Sequence, residues 1–93
     1  MIVGVMKVDV AVLEAQSLKD KRRVIQSVKQ KLRDRFNVSV AEIEYGDLLQ
    51  RCRLGIAIVG DETRGLHAQL DKMIELMRHT MGLTLLDYER EML

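Results

Sequence analysis

The chain has 93 residues, of which 47% are hydrophobic and 31% are charged. This composition is typical of one small folded domain with a single core, and it excludes a disordered chain. The formal net charge is only +1, but residues 17–36 hold eight basic and two acidic side chains, a net charge of +6. The remaining residues hold seven basic and twelve acidic side chains, a net charge of −5. This separation of charge indicates an interaction with an acidic partner.

The cysteine count and the apolar runs indicate a cytoplasmic protein with no membrane association. Cys52 is the only cysteine, which excludes an internal disulfide, and a small buried residue is a better interpretation of it than a reactive thiol. The apolar first thirteen residues include Lys7 and Asp9 and lack a basic leader, so they are typical of a strand and not of a signal peptide. No run reaches the ~18–20 apolar residues of a membrane span.

The first half of the chain predicts a strand followed by a helix. Ile2 to Leu13 are rich in β-branched residues, and apolar residues on both faces at the start are typical of an inner strand. Ser17 then predicts a helix N-cap, and Asp20 three residues later completes an approximate capping box. The residues that recur at helical spacing after this cap are Leu18, Ile25, Val28, Leu32 and Phe36.

The second half predicts a hairpin, a helix and a last strand. Strand character returns from Asn37 to Tyr45 and from Arg51 to Val59, with a turn at Gly46-Asp47. Asp61 or Thr63 is the predicted cap of the second helix, and Gly82 its predicted stop. The buried stripe of this helix is predicted to contain Leu66, Leu70, Met73, Ile74, Met77 and Met81. Leu83 to about Glu91 form the final strand.

The order β-α-β-β-α-β predicts an α+β, ferredoxin-like fold for residues 1–93 as a single domain. Two right-handed crossovers place both helices on one face of a four-stranded antiparallel sheet. The other face is then bare, and its expected residues are Val3, Val5, Lys7, Ala11, Gly55, Ala57 and Val59. Because this set is apolar for a permanently exposed surface, we expect a homodimer in which two sheets pack through their open faces.

The first helix carries the main functional signal. At ~100° per residue, a continuous face without acid contains Lys19, Arg22, Arg23, Gln26, Lys29, Gln30 and Arg33. Asp20 and Asp34 lie at the far edge, where they could pair with Arg23 and Lys31. Four cations crowd the positive end of the helix dipole, where each disfavours the helix by a few tenths of a kcal/mol. The candidate phosphate-binding residues are Lys19, Lys21, Arg22, Arg23, Lys29 and Arg33.

Three interpretations of this basic helix stay open. It is a polyanion-binding face with RNA as the first candidate, a solvated surface, or a site for a small phosphate ligand. In the second case, Glu42, Glu44 or the acidic final strand would neutralise the cations. The only aromatic residues are Phe36, Tyr45 and Tyr88, so base stacking on the sheet is not expected and RNA binding would depend on phosphates.

No catalytic or metal-binding arrangement is evident. His67 and His79 are twelve residues apart on one predicted helix, ~120° around it, and do not converge on a metal. The carboxylates lack a partner base or nucleophile. We therefore expect a protein that is not an enzyme and uses no metal or cofactor.

Four motifs, SLKDKRRV, FNVSVAE, DLLQR and LGIAIVGD, together resemble the YlxP-like family of small bacterial proteins of unknown function. The family pattern reads S-L-K-x-K-R, N-V-S-V-A-E and H-Q-D-L-W-Q-R. The matching positions are Ser17, Leu18, Lys19, Lys21, Arg22, residues 37–42, Asp47, Leu48, Gln50 and Arg51. This chain departs from the pattern at Tyr45, Gly46 and Leu49, where the family has His, Gln and Trp.

The resemblance implies a ferredoxin-like fold and, because members often lie in gene clusters with translation-initiation and ribosome-maturation factors, an association with ribosomal RNA or the ribosome. It also makes the connection with Asp47, Gln50 and Arg51 a second candidate site. A hairpin end stabilised by local hydrogen bonds explains the same residues equally well. The leading function is an RNA- or ribosome-associated accessory protein, and the alternative is a homodimeric regulatory domain that binds a small ligand.

Overall fold

The structure, a computed structural model, describes residues 1–93 and has the predicted order of elements. The strands and helices in chain order are β1 (Ile2–Ala11), α1 (Leu18–Arg35), β2 (Val38–Glu44), β3 (Arg51–Gly60), α2 (Thr63–Arg78) and β4 (Thr84–Met92). The four strands form one sheet in the order β2-β3-β1-β4, and every neighbouring pair is antiparallel. The ferredoxin-like prediction is therefore confirmed, and β1 is an inner strand as expected.

The hydrophobic core lies between the sheet and the two helices. Met6, Val8 and Val10 alternate along β1 with residues of the opposite face, and they pair with Ile56, Leu54 and Cys52 of β3. The helices cover this face with residues at helical spacing, among them Ile25, Val28, Leu32, Leu66, Leu70, Met73 and Met77. The lone cysteine is part of this core, as the sequence indicated.

The start of α1 confirms the predicted cap. The backbone nitrogen of Asp20 donates to Ser17 Oγ at 3.1 Å, and the backbone nitrogen of Gln16 donates to Asp20 Oδ2 at 3.1 Å. Two backbone donors that the helix cannot satisfy are thereby bonded. The Asp20 carboxylate is consequently occupied by the cap.

The boundaries of α2 differ from the prediction at both ends. Its N-cap is Glu62, which makes no side-chain capping hydrogen bond, so neither Asp61 nor Thr63 has the predicted role. The helix ends at Arg78, and Met81 is 93% exposed because it follows the last helical turn. The prediction that Met81 belongs to the buried stripe was therefore wrong. Gly82 has a φ of +84° and permits the turn into β4.

The face of the sheet without helices is apolar at one end and charged at the other. Val3, Val5, Gly55 and Ala57 lie on this open face and are half-buried. Ile43 of β2 lies across it, because a side-chain carbon on Gly55 would be only 3.0 Å from Ile43 Cγ2. Ala11 was expected on the open face, but it is buried, with 1% exposure, so this part of the prediction was wrong.

Candidate nucleic-acid interface

Lys21 is the one candidate cation that the fold buries, with 2% exposure. Its ammonium donates to the carbonyl oxygens of Leu48 at 2.6 Å and Tyr45 at 2.7 Å, and the Gly46 carbonyl lies at 3.5 Å. A buried ammonium is costly unless its three donors are bonded, and here carbonyls of the β2–β3 connection bond them. Lys21 therefore holds this connection against α1 and is not available to a phosphate, so we remove it from the candidate set.

A sequence signal for the burial of Lys21 did exist. Lys21, Ile25, Val28 and Leu32 recur at spacings of four, three and four residues, and these four are the buried residues of α1. At ~100° per residue, Lys21 lies on the apolar stripe and not on the basic face. Its assignment to a phosphate site followed from its charge and its neighbours, and the helical period argued against it.

The β2–β3 connection is stabilised by local hydrogen bonds. Tyr45 has a φ of +65°, and its carbonyl accepts from the backbone nitrogen of Leu48 at 3.2 Å across the predicted turn. Gln50 Nε2 donates to the Leu13 carbonyl at 2.9 Å and to the Ala15 carbonyl at 3.3 Å. These bonds join the connection to the loop before α1, which favours the structural interpretation of this second candidate site.

The other two residues of this second site have different surroundings. Asp47 and Arg51 are both exposed. The Arg51 guanidinium lies 5.2 Å from the centre of the Tyr45 ring, a cation–π distance. Neither residue forms an ion pair.

Lys29 and Arg33 both contact β2, which is the edge strand beneath α1. Lys29 Nζ lies 3.8 Å from Glu42 Oε2, and Arg33 Nη2 donates to the Val40 carbonyl at 3.0 Å. Together with Lys21 these residues form a row along the helix that fastens α1 to the sheet. Lys29 and Arg33 are therefore only partly free to contact another molecule.

Lys19, Arg22 and Arg23 are exposed and form no ion pair, and we call them the amino-terminal basic cluster. The predicted pairing of Arg23 with Asp20 is absent because Asp20 belongs to the cap. Lys31 and Asp34 are likewise not paired, since Gln30 Nε2 donates to Asp34 Oδ1 at 2.8 Å.

The other acids considered as neutralising partners lie away from α1. Glu44 pairs with Arg53, at 2.9 Å between carboxylate oxygen and guanidinium nitrogen. Glu89 and Glu91 lie on β4, at the opposite edge of the sheet from β2. Within the chain, Glu42 is the only acid that forms an ion pair with α1.

The charged end of the open sheet face is an internal ion pair. Arg53 Nε and Nη2 donate to the two carboxylate oxygens of Asp9 at 2.6 and 3.1 Å, across the paired strands β1 and β3. The hydrogen bond from Arg53 lowers the pKa of Asp9, and the same hydrogen bond raises the pKa of Arg53. The Arg53 guanidinium is thus bonded to the carboxylates of Asp9 and Glu44, and the Asp9 carboxylate is held in its ionised form by this pair.

The remaining reactive side chains do not assemble into a site. Burial, together with the charge of Glu42, raises the pKa of the Cys52 thiol to about 11, so the thiol stays protonated at neutral pH. His67 lies 3.3 Å from Arg90, whereas His79 lies 3.4 Å from Glu75. No three His, Cys, Asp or Glu side chains are arranged to hold a metal ion. Neither α1 nor α2 combines the length and apolar character that crossing a membrane requires.

These features define a ferredoxin-like domain whose first helix uses some of its cations to hold the fold and leaves others exposed. The family described as "Protein of unknown function (DUF503)" matches residues 3–90, and the chain belongs to this family. Over 73 residues the chain is 32% identical to the uncharacterized protein YlxP of Bacillus subtilis (strain 168). This match covers 78% of the chain and 79% of that protein.

Lys21→Met tests the role of the buried ammonium. The substitution keeps an apolar stem but leaves carbonyls of the β2–β3 connection without their donor, so we expect a loss of about 1–3 kcal/mol in the free energy of unfolding. Urea denaturation measures it. The matched control is Lys19→Met, at an exposed position on the same helix, and an equal loss in both variants would contradict the role assigned to Lys21.

The raised pKa of Cys52 predicts a loss of stability at high pH. Between the ordinary value of 9.0 and about 11 the unfolded chain releases the thiol proton while the folded chain retains it, so the free energy of unfolding falls as pH rises through this range. Denaturation of the protein beside Cys52→Ala isolates this contribution. A constant difference between the two proteins across this pH range would contradict the prediction.

Proposed function

We propose that this protein is a non-enzymatic cytoplasmic accessory protein that binds RNA, with ribosomal RNA as the first candidate, through the amino-terminal basic cluster. The observation that carries the proposal is the exposure of Lys19, Arg22 and Arg23 without any paired carboxylate. These cations sit in the first turns of α1, where the helix dipole is positive and cations destabilise the helix. Selection for stability alone would not favour this placement, whereas a bound anion would compensate it.

The contacts around the cluster support binding to phosphates more than reading of bases. Lysine and arginine side chains on one exposed helical face contact the backbone of a nucleic acid without distinguishing sequence. Lys29 and Arg33 lie further along α1 and would add contacts at the border of the surface, although each already has a partner in β2. The proposal therefore implies strong dependence on salt and weak sequence specificity.

The salt dependence of RNA binding tests this proposal. With about three to five phosphate contacts, the log–log slope of affinity against salt concentration is expected to be roughly −2 to −4. Lys19→Glu/Arg22→Glu is expected to reduce both the affinity and the slope. Because position 19 lies in the first turn of α1, where the helix dipole favours an acidic residue, this variant is also expected to unfold no more easily than the natural protein.

The matched control is Lys7→Glu/Arg64→Glu, which makes the same change of net charge at exposed positions outside α1. Fluorescence anisotropy with a labelled ribosomal RNA fragment measures all three proteins. An equal loss of RNA affinity in the two variants would mean that binding depends only on the net charge of the protein and not on the amino-terminal basic cluster. An absence of binding at low salt would contradict the proposed function.

We also propose, as a second candidate function, a homodimer formed through the open sheet face and able to act as a regulatory domain for a small ligand. A shallow apolar hollow of about 340 Å³ lies on this face, and its walls include Val5, Ala41, Ile43, Gly55 and Ala57. A two-fold axis through this patch would place apolar residues of one copy on those of the other, as an isologous interface requires. A second copy is therefore the proposed occupant.

Ala57→Glu tests the dimer because it would bury a carboxylate in the proposed interface. Light scattering at tens of micromolar is expected to show a dimer for the natural protein and a monomer for the variant. Gln26→Glu, on the exposed face of α1, is the control and is expected to remain a dimer. A monomeric natural protein would contradict the dimer, and a thermal-shift screen with metabolites would then test the open face as a ligand site.

A further inference from the structure

A groove runs between the two helices on the side of the molecule opposite to the open sheet face. The helices separate because α1 packs mainly on the edge strand β2, whereas α2 packs on β1, β3 and β4. The groove has a volume of about 700 Å³ and is lined by Lys31, Arg35, Phe36, Asp71, Lys72, Glu75, Leu76, His79 and Thr80. This volume is in the range of known ligand sites.

The groove continues toward the start of α1. A second hollow, of about 270 Å³, shares Lys31 and Thr80 with the first and extends to Arg23. Arg23 belongs to the amino-terminal basic cluster. The groove is therefore continuous with the surface to which we assign phosphate binding.

The three cations that line the groove have no ion-pair partner within the chain. Lys31 and Arg35 line one wall and Lys72 the other, and none of the three forms an ion pair. The two acids of the lining have cationic partners outside the groove, since Asp71 pairs with Arg90 at 2.8 Å and Glu75 with Arg78 at 3.8 Å. The groove consequently presents free positive charge on both walls.

The floor of the groove is apolar. Phe36 and Leu76 are half-buried, pack against the hydrophobic core and leave part of their surface to the groove. Thr80 adds no free donor, since its hydroxyl donates to the Leu76 carbonyl at 2.8 Å. Free cations above an aromatic and aliphatic floor are the combination that binds an unpaired nucleotide, whose phosphates need charge and whose base needs a flat apolar contact.

The geometry points to the groove between α1 and α2 as a site for single-stranded RNA, with phosphates on Lys31, Arg35 and Lys72 and a base against Phe36. Lys31 and Arg35 are one helical turn apart, ~6 Å along the axis, a separation similar to that of neighbouring phosphates in an extended strand. A duplex cannot place its stacked, paired bases on this floor. The inference rests on the proposed function and adds to it a second site that is specific for unpaired RNA.

Binding of a single-stranded oligonucleotide and of a duplex of the same length tests the site. Lys31→Gln/Lys72→Gln removes one cation from each wall and is expected to weaken single-strand binding roughly tenfold while leaving duplex binding by the amino-terminal basic cluster nearly unchanged. Arg64→Glu makes the same change of net charge at an exposed position outside the groove and the open sheet face, and it is expected to have little effect. Fluorescence anisotropy with labelled RNA measures the affinity of each protein for the single strand and for the duplex.

Phe36→Leu tests the floor separately, because it keeps an apolar side chain but removes the aromatic face. Single-strand affinity is expected to fall about fivefold or more with no change in the salt slope, since no phosphate contact is lost. Urea denaturation shows whether the variant is folded, and the lysine variant tests the groove independently of any effect of Phe36 on stability.

The outcomes separate this inference from the proposed function. If neither groove variant weakens single-strand binding while Lys19→Glu/Arg22→Glu still weakens RNA binding, the groove site is overturned and the proposed function stands. If the groove variants bind the single strand and the duplex with equally reduced affinity, the groove supplies only general positive charge and the single-strand site is overturned. If polyglutamate displaces the oligonucleotide as well as unlabelled RNA does, the groove accepts an acidic protein segment instead. If the natural protein binds no RNA, the proposed function and the groove site are both overturned.

Discussion

The buried ammonium of Lys21 determines how the two loops at the start of α1 are arranged. It bonds the Tyr45 and Leu48 carbonyls, and this contact joins residues 24 and 27 positions apart in the chain. Once the β2–β3 connection is held in this way, Gln50 lies within hydrogen-bond distance of the Leu13 and Ala15 carbonyls. The capped start of α1, with its exposed cations, is thereby fixed relative to the sheet. A surface that contacts another molecule benefits from this rigidity because less entropy is lost on binding.

The cations on α1 form two groups, which lie on different sides of the helix and have different roles. Lys21, Lys29 and Arg33 point toward β2 and its connection, where they bond backbone carbonyls or Glu42. The other cations face water or the groove beside α2, and they have no carboxylate partner because Asp20 and Asp34 have other partners. A segment with a net charge of +6 therefore contains two groups of cations. Only the second group is fully free to bind a polyanion, and our proposals for RNA depend mainly on it.

The free edges of the sheet discourage association through added strands, which directs the proposed dimer to the open face. On the β2 edge, Arg33 bonds the Val40 carbonyl. On β4, the open-face residues include Asp87, Glu89 and Glu91, which pair with Asp9, Lys7 and Val5 of β1. If two copies paired through β4 around a two-fold axis, residues of this acidic row would lie opposite one another, and like charges across strands are destabilising. The hollow around Gly55 is mainly apolar, and Lys7 is the one charged residue of its lining, so it carries less like charge than the β4 edge.

The sequence by itself determined the order of the elements, the inner position of β1, the Ser17 cap and the Gly46-Asp47 turn, because each depends on local spacing or backbone preference. The tertiary structure decided which charges are free. Lys21 is bonded to backbone carbonyls because α1 lies over the β2–β3 connection. Arg53 is paired with Asp9 because the register of β1 and β3 places the two residues side by side. Met81 is exposed because α2 ends before it. The groove beside Phe36 exists because the two helices pack on different strands. Electrostatic partners depend on distance in space, and residues far apart in sequence set that distance only when the chain is folded.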